Sequence, residues 1–133
     1  MFILTNRGIH KVQMIKGWNE NGEQKELVQD IACADGTKPE GGRCPAPSST
    51  IDLTTCKVSG DSGASSMEVH WRDPTFNDEY SAFFYVRVLQ SPTCRWSTYD
   101  AIRLGIDPIP EVSPLIQERA WSSPVWYSPF NNS

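Results

Sequence analysis

The chain has 133 residues and a formal net charge of −4, and 38% of its residues are hydrophobic. This composition supplies enough apolar surface for one packed domain and excludes an intrinsically disordered chain. The sequence contains no run of lysine and arginine residues of the kind that binds nucleic acids, and no apolar stretch reaches the length of a membrane span. We therefore expect a single β-rich domain over residues 1–133. We expect no cofactor and neither a nucleic acid nor a membrane as partner. Met1–Leu4 is too short for the apolar core of a signal peptide, so none is expected in this chain.

The first predicted element is a β-hairpin. Residues 9–18 alternate between apolar and polar side chains, with Val12 and Met14 on the apolar side. Asn21-Gly22 follows, which is a strong signal for a tight hairpin turn. Residues 24–34 then return as the second strand.

Further strands are predicted downstream of a loop over residues 35–49. A short strand is expected over Ile51–Val58, and a turn over Gly60–Gly63. Ser66–Arg72 alternates and predicts a half-buried strand, which would place Met67, Val69 and Trp71 on the apolar face. Ala82–Leu89 is almost continuously apolar and aromatic, which predicts a central strand covered on both faces.

One helix is predicted, over Ser97–Leu104, with Ser97 as its N-cap and Gly105 at its end. Residues 106–114 are interrupted by proline and read as extended. Ile116–Tyr127 predicts a last strand, broken near Pro124 and suited to a sheet edge. Together these elements predict a mainly β fold: a two-layer antiparallel β-sandwich, immunoglobulin- or fibronectin-like in outline, with one short helix.

The four cysteines are Cys33, Cys44, Cys56 and Cys94. None belongs to a C-x-x-C pair, which disfavours a zinc site, and their even number favours two disulfides in an oxidising compartment. Three pairings are possible. We favour Cys33–Cys44, because the glycines and proline between them allow a tight return, together with Cys56–Cys94.

Two segments could carry catalytic chemistry. Gly60-Asp61-Ser62-Gly63 resembles the nucleophile segment of trypsin-like proteases, but the chain is too short for that fold, and its only histidines are His10 and His70. We therefore interpret the segment as a turn. His70 lies near the acidic residues of 73–79 and could bind a metal, although its place on the polar side of its segment favours an ordinary exposed histidine. No catalytic or metal-binding residue is assigned.

The five tryptophans and the start of the helix are the candidates for binding. Trp71 is expected in the core, whereas Trp121 and Trp126 could form an aromatic platform that stacks on sugars. Arg95, Trp96 and Asp100 form either a docking site or contacts that fix the helix to the sheet, and we favour the structural role. We also expect an exposed apolar patch within residues 121–130.

Three stretches in the C-terminal half carry a resemblance to a known family: 82–89, 92–101 and 116–127. They resemble the C-terminal region of the bacterial domain-of-unknown-function 3604 family, and residues 12–18 resemble the start of that region. The resemblance spans about Ile9 to Pro129. It does not include the opening segment up to Gly8, which suggests a fragment of a longer protein.

The resemblance implies a functional context. Members of that family are longer exported proteins that look like PHP-type metal-dependent hydrolases, with the metal site in the larger N-terminal part. Some members have cysteines at similar positions, which supports the favoured pairing. The resemblance thus implies a non-catalytic accessory or interaction domain, periplasmic or secreted, whose partner is a hydrolase domain or another copy of itself. The alternatives are a carbohydrate-binding module that uses surface tryptophans and a small metal-dependent hydrolase.

Overall fold

The computed structural model of the protein describes residues 8–60 and 63–130. These described residues form nine strands, one α-helix and one short 3-10 turn. The bounds of the strands and of the helix are β1 Ile9–Glu20, β2 Glu23–Cys33, β3 Thr50–Ile51, β4 Val58–Ser59, β5 Ala82–Gln90, β6 Thr93–Cys94, α1 Trp96–Leu104, β7 Leu115–Ile116, β8 Arg119–Trp121 and β9 Val125–Tyr127. The mainly β, antiparallel fold with one short helix is confirmed.

The predicted hairpin is confirmed as β1 and β2. Its tip is Asn21-Gly22, and both residues have positive φ, 53° and 84°. Two successive positive φ angles are the geometry of the tight turn that matches the twist of a hairpin, and asparagine and glycine adopt them most readily. Gly22 also donates its N–H to the side chain of Asn19, at 2.9 Å.

A five-stranded antiparallel sheet forms the centre of the molecule, in the order β2-β1-β5-β8. β9 pairs with the first half of β5, on the same side as β8. β3 pairs with β4, and β6 pairs with β7, as two separate two-stranded sheets. β5 is therefore central, as predicted.

One face of the sheet is covered by the irregular segment 63–80. Met67 packs against the buried cluster of Ile9, Val12 and Val88, and the ring of Trp71 lies 6.2 Å from that of Phe84. We name this side the covered face. The middle of β2 shows the same asymmetry, because Lys25 and Leu27 on this face are half-buried while Gln24, Glu26 and Val28 are exposed.

The predicted strand Ser66–Arg72 is wrong. Met67 and Trp71 do point toward the core, as their alternation indicates, but the segment crosses the face of the sheet, and its described residues form an isolated bridge at Met67 rather than a strand. Val69 is consequently exposed. Alternation of apolar and polar residues indicates which side chains face the core, but it does not require a paired strand. Here an extended loop that crosses the sheet produces the same alternation.

Other boundaries also differ. The strand expected over 51–58 is two short strands, β3 and β4, joined by a turn in which Asp52 caps the N–H of Thr54. The last strand is divided into β7, β8 and β9. The helix begins at Trp96 with Arg95 as N-cap and without a side-chain cap, so Ser97 is not the cap; Gly105 does end it, with φ 66°.

Both predicted disulfides are present, Cys33–Cys44 and Cys56–Cys94, with Cα–Cα distances of 5.6 and 5.9 Å. Such a pair indicates an oxidising location outside the cytoplasm. No helix among the described residues is long and apolar enough to cross a membrane.

Candidate functional site

The second face of the sheet, which we name the open face, carries the candidate site. In an antiparallel sheet, residues paired across strands share a face and alternate with their neighbours along the chain. The pairing therefore arranges the open face in rows that run across the strands. The rows are Glu26, Gly17, Phe83 and Trp126; Val28, Ile15 and Tyr85; Asp30, Gln13, Arg87 and Trp121.

Gly17 and Phe83 are direct partners on β1 and β5. A Cβ atom added to Gly17 would collide with the distal atoms of the Phe83 ring, so the far end of this ring lies directly over the glycine. Glycine within a strand commonly marks such a close approach. The contact fixes the ring of Phe83 against the sheet. Because Gly17 has no side chain, nothing projects from the sheet at that position.

Four aromatic side chains form what we name the aromatic patch: Phe83, Tyr85, Trp121 and Trp126. The rings of Phe83 and Tyr85 are parallel within 5°, with centroids 6.3 Å apart, and Phe83 lies 5.3 Å from Trp126. Trp121 and Trp126 remain 59% and 72% exposed. Large exposed aromatic rings that are already held in place are typical of binding surfaces.

A groove lies next to the aromatic patch, toward the tip of the hairpin, and has a volume of about 660 Å³. We name it the polar groove. Phe83 and Trp126 form its apolar wall, while Asn19, Gln24 and Glu26 lie on the hairpin side. This volume is in the range of small-molecule sites in proteins.

A network of charged and amide groups occupies the other end of the open face. Asp30 accepts hydrogen bonds from Gln13 at 2.7 Å, from Lys11 at 3.1 Å and from the N–H of Cys44 at 2.7 Å. Arg87 in turn donates to Gln13. Burial acts to raise the pKa of Asp30, but these hydrogen bonds outweigh it and hold the pKa below its usual range. The network anchors the disulfide loop to the sheet.

A buried ion pair lies on the covered face. The ammonium of Lys16 contacts Asp73, and both side chains are almost fully buried. The ammonium also lies 4.7 Å from the ring centroid of Trp18, in a cation–π geometry. Burial acts to raise the pKa of Asp73, but hydrogen bonds from Lys16 and Thr75 keep the pKa below its usual range. Since the two charges neutralise each other, we assign the pair a structural role: it fixes segment 63–80 to the sheet.

Comparison with known families identifies the family of the chain. Residues 5–129 match the family described as "Protein of unknown function (DUF3604)". The chain belongs to the DUF3604 family. No curated protein and no solved structure matches it. The match spans both strands of the hairpin and all four open-face aromatic residues, so the open face is part of the DUF3604 region.

The helix residues singled out from sequence lie apart from the aromatic patch of this DUF3604 region. Arg95 donates to the backbone carbonyl of Ser113 at 2.9 Å, and Asp100 pairs with Arg103 at 3.6 Å. Arg95 and Asp100 therefore make separate local contacts and do not pair with each other. Trp96 is 73% exposed on the helix.

The histidines of the DUF3604 region are not brought together. His70 is exposed beside Glu68, at 3.4 Å. His10 is buried, and this burial, with the charge of Lys11, lowers its pKa. Within residues 8–60 and 63–130, no three histidine, cysteine or acidic side chains converge in a way that could hold a metal. Asp61 and Ser62, the centre of the protease-like segment, lie outside the described residues.

Sequence reasoning singled out Trp121 and Trp126 but missed Gly17, Phe83 and Glu26. A signal for Gly17 was present: a glycine inside a clearly alternating strand indicates that something lies close to the backbone. Phe83 was interpreted as part of a strand covered on both faces. Residues 83–87 of β5 are instead only half-buried, because the described part of the chain covers only one face there.

Proposed function

We propose that the chain is a non-catalytic accessory domain that binds the hydrolase portion of a longer, exported DUF3604 protein through its aromatic patch. The observation that carries the proposal is the exposure of Trp121 and Trp126 beside Phe83 and Tyr85 on one face of the sheet. Exposed patches of this kind mark interaction sites, and tryptophan and tyrosine dominate the binding energy of protein interfaces.

The location of the protein is part of the proposal. Two disulfides support folding in the periplasm or after secretion, where such bonds persist. The resemblance to longer exported proteins supports the same compartment and supplies the partner. The domain would add binding surface to that protein, while the chemistry would belong to its other portion.

Binding to the upstream portion of a longer DUF3604 protein, produced without its own C-terminal region, tests the proposal by isothermal titration calorimetry. We expect saturable binding that weakens at least tenfold, about 1.4 kcal/mol, in Trp121→Ala. Trp96→Ala is the matched control, because Trp96 is also a largely exposed tryptophan, 73% against 59% for Trp121, but lies on the helix. Circular dichroism checks that both variants fold.

Two results would contradict the proposal. The first is no binding by the native chain. The second is a loss caused by Trp96→Ala and not by Trp121→Ala, which would move the interface to the helix. A third measurement, sedimentation equilibrium, determines whether the native chain forms dimers. Dimerisation abolished by Trp121→Ala, without binding to the hydrolase portion, would assign the patch to another copy of the chain instead.

A further inference from the structure

The polar groove combines an aromatic wall with an unusual supply of unused hydrogen-bonding groups. We propose that it binds a neutral carbohydrate. The inference rests on the proposed function only in taking the open face as a binding surface. It concerns the part of that face next to the hairpin, where Trp126 of β9 lines the groove, whereas Trp121 is the last residue of β8 and does not line the groove.

The aromatic wall matches the apolar side of a sugar ring. Trp126 is 72% exposed and tilted 48° from Phe83, so the two rings form an angled surface rather than a closed stack. Sugar C–H bonds carry a partial positive charge and are attracted to the negative face of an aromatic ring. Because Phe83 is held over Gly17, this surface is fixed before a ligand arrives.

The opposite wall matches sugar hydroxyls. Within the described chain, the side chains of Gln24 and Glu26 make no hydrogen bond, and both are exposed. The carbonyl oxygen of the Asn19 side chain accepts from Gly22, so its NH₂ group remains available as a donor. The groove also includes Ser81. A carboxylate, two amides and a hydroxyl provide donors and acceptors in the combination that a polyol requires.

The charge balance favours a neutral ligand. Lys25 lines the groove, but its ammonium pairs with Glu20 at 2.8 Å. Among the described residues that line the groove, Glu26 is thus the one charged side chain without an ion-pair partner, and its negative charge disfavours phosphate, sulfate and carboxylate ligands. An uncharged ligand with a flat apolar side and a hydroxylated edge satisfies both walls.

A glycan array, followed by titration calorimetry with cellohexaose, xylohexaose and maltohexaose, tests the inference. We expect saturable binding of at least one glycan class. Affinity should fall about tenfold in Glu26→Ala, since a hydrogen bond to a charged group contributes about that much, and should be lost in Trp126→Ala. Trp96→Ala and Trp121→Ala are the controls and should leave glycan affinity unchanged.

Several outcomes would overturn the inference. These are no binding on the array or in titration, binding that survives Trp126→Ala, or binding that falls in Trp121→Ala but not in Glu26→Ala. Dimerisation through this groove, abolished by Trp126→Ala, would assign it to a second copy. Failure here is distinguishable from failure of the proposed function, because Glu26→Ala reports only on the groove and Trp121→Ala only on the docking of the hydrolase portion.

Discussion

The distal end of the Phe83 ring lies directly over Gly17, its partner on the neighbouring strand, and this contact positions both the aromatic patch and the polar groove. The missing side chain of Gly17 is what allows the ring to reach the sheet. If position 17 carried a side chain, the ring of Phe83 would have to rotate into the groove or away from Trp126.

Gly17→Ala should therefore destabilise the protein. The added methyl group collides with Phe83, and overpacking of this kind costs about 1–3 kcal/mol. Denaturant unfolding measures the loss. In a Phe83→Ala background the collision is absent, so the same substitution should cost much less. Equal losses in both backgrounds would show that the contact does not matter.

Asp73→Ala should be strongly destabilising, because it leaves the ammonium of Lys16 buried without its partner. Removing one member of a buried pair typically costs about 3 kcal/mol. Denaturant unfolding again provides the measurement. Glu20→Ala breaks the more exposed pair with Lys25 and should have a much smaller effect. If the two variants lost similar stability, the role assigned to Lys16 and Asp73 would be wrong.

Stability should fall in two steps as the pH is lowered. Burial, with the charge of Lys11, lowers the pKa of His10 below its usual 6.5. The pKa values of Asp30 and Asp73 lie below 3.8. In each case the unfolded state binds protons first, so the contribution is complete above the unfolded pKa and is lost as the pH falls through the lower folded value. The first step thus begins near pH 6.5 and the second below pH 3.8.

Unfolding free energies measured across this pH range test both steps. His10→Gln should flatten the first step and leave the second in place. Asp73→Asn should reduce the second, although the variant starts from a lower stability. A free energy of unfolding that rose on acidification would contradict the assigned directions.

Loss of either disulfide should destabilise the fold by about 2–4 kcal/mol. The Cys56–Cys94 bridge closes a loop of 38 residues, against 11 for Cys33–Cys44. In the chain-entropy model the paired serine variant of the longer loop should lose about 1 kcal/mol more. Denaturant unfolding compares the two variants, and mass spectrometry of unreduced protein checks the pairing. A larger loss from the short loop would contradict this order.

The sequence predicted the parts of the fold that depend on local signals. Asn21-Gly22 sets the hairpin turn through its backbone angles, and Gly105 ends the helix for the same kind of reason. The Cys33–Cys44 pairing followed from the glycines and proline between the two cysteines, and Cys56–Cys94 was the pair that remained. For the hairpin turn, the helix end and the short disulfide loop, the information lies within the element that it determines.

What the sequence did not predict depends on contacts between distant segments. Met67 and Trp71 are partly buried by the sheet that they cross, so their alternation resembled that of a strand. The polar groove required the pairing of β1 with β5, which brings Gly17 to Phe83 across a large separation in sequence. Nothing in the sequence around Gly17 or around Phe83 indicates that these two residues contact each other.

The Cys56–Cys94 link has a consequence for limited proteolysis. It joins the turn before β4 to the start of the helix region, so a cut at any one peptide bond between these cysteines leaves two fragments still covalently joined. The exposed residues 74–79 are the natural place for such a cut, since chain-surface loops are preferred by proteases. The nicked protein would run as a single band on a gel without reducing agent and as two bands once thiol is added.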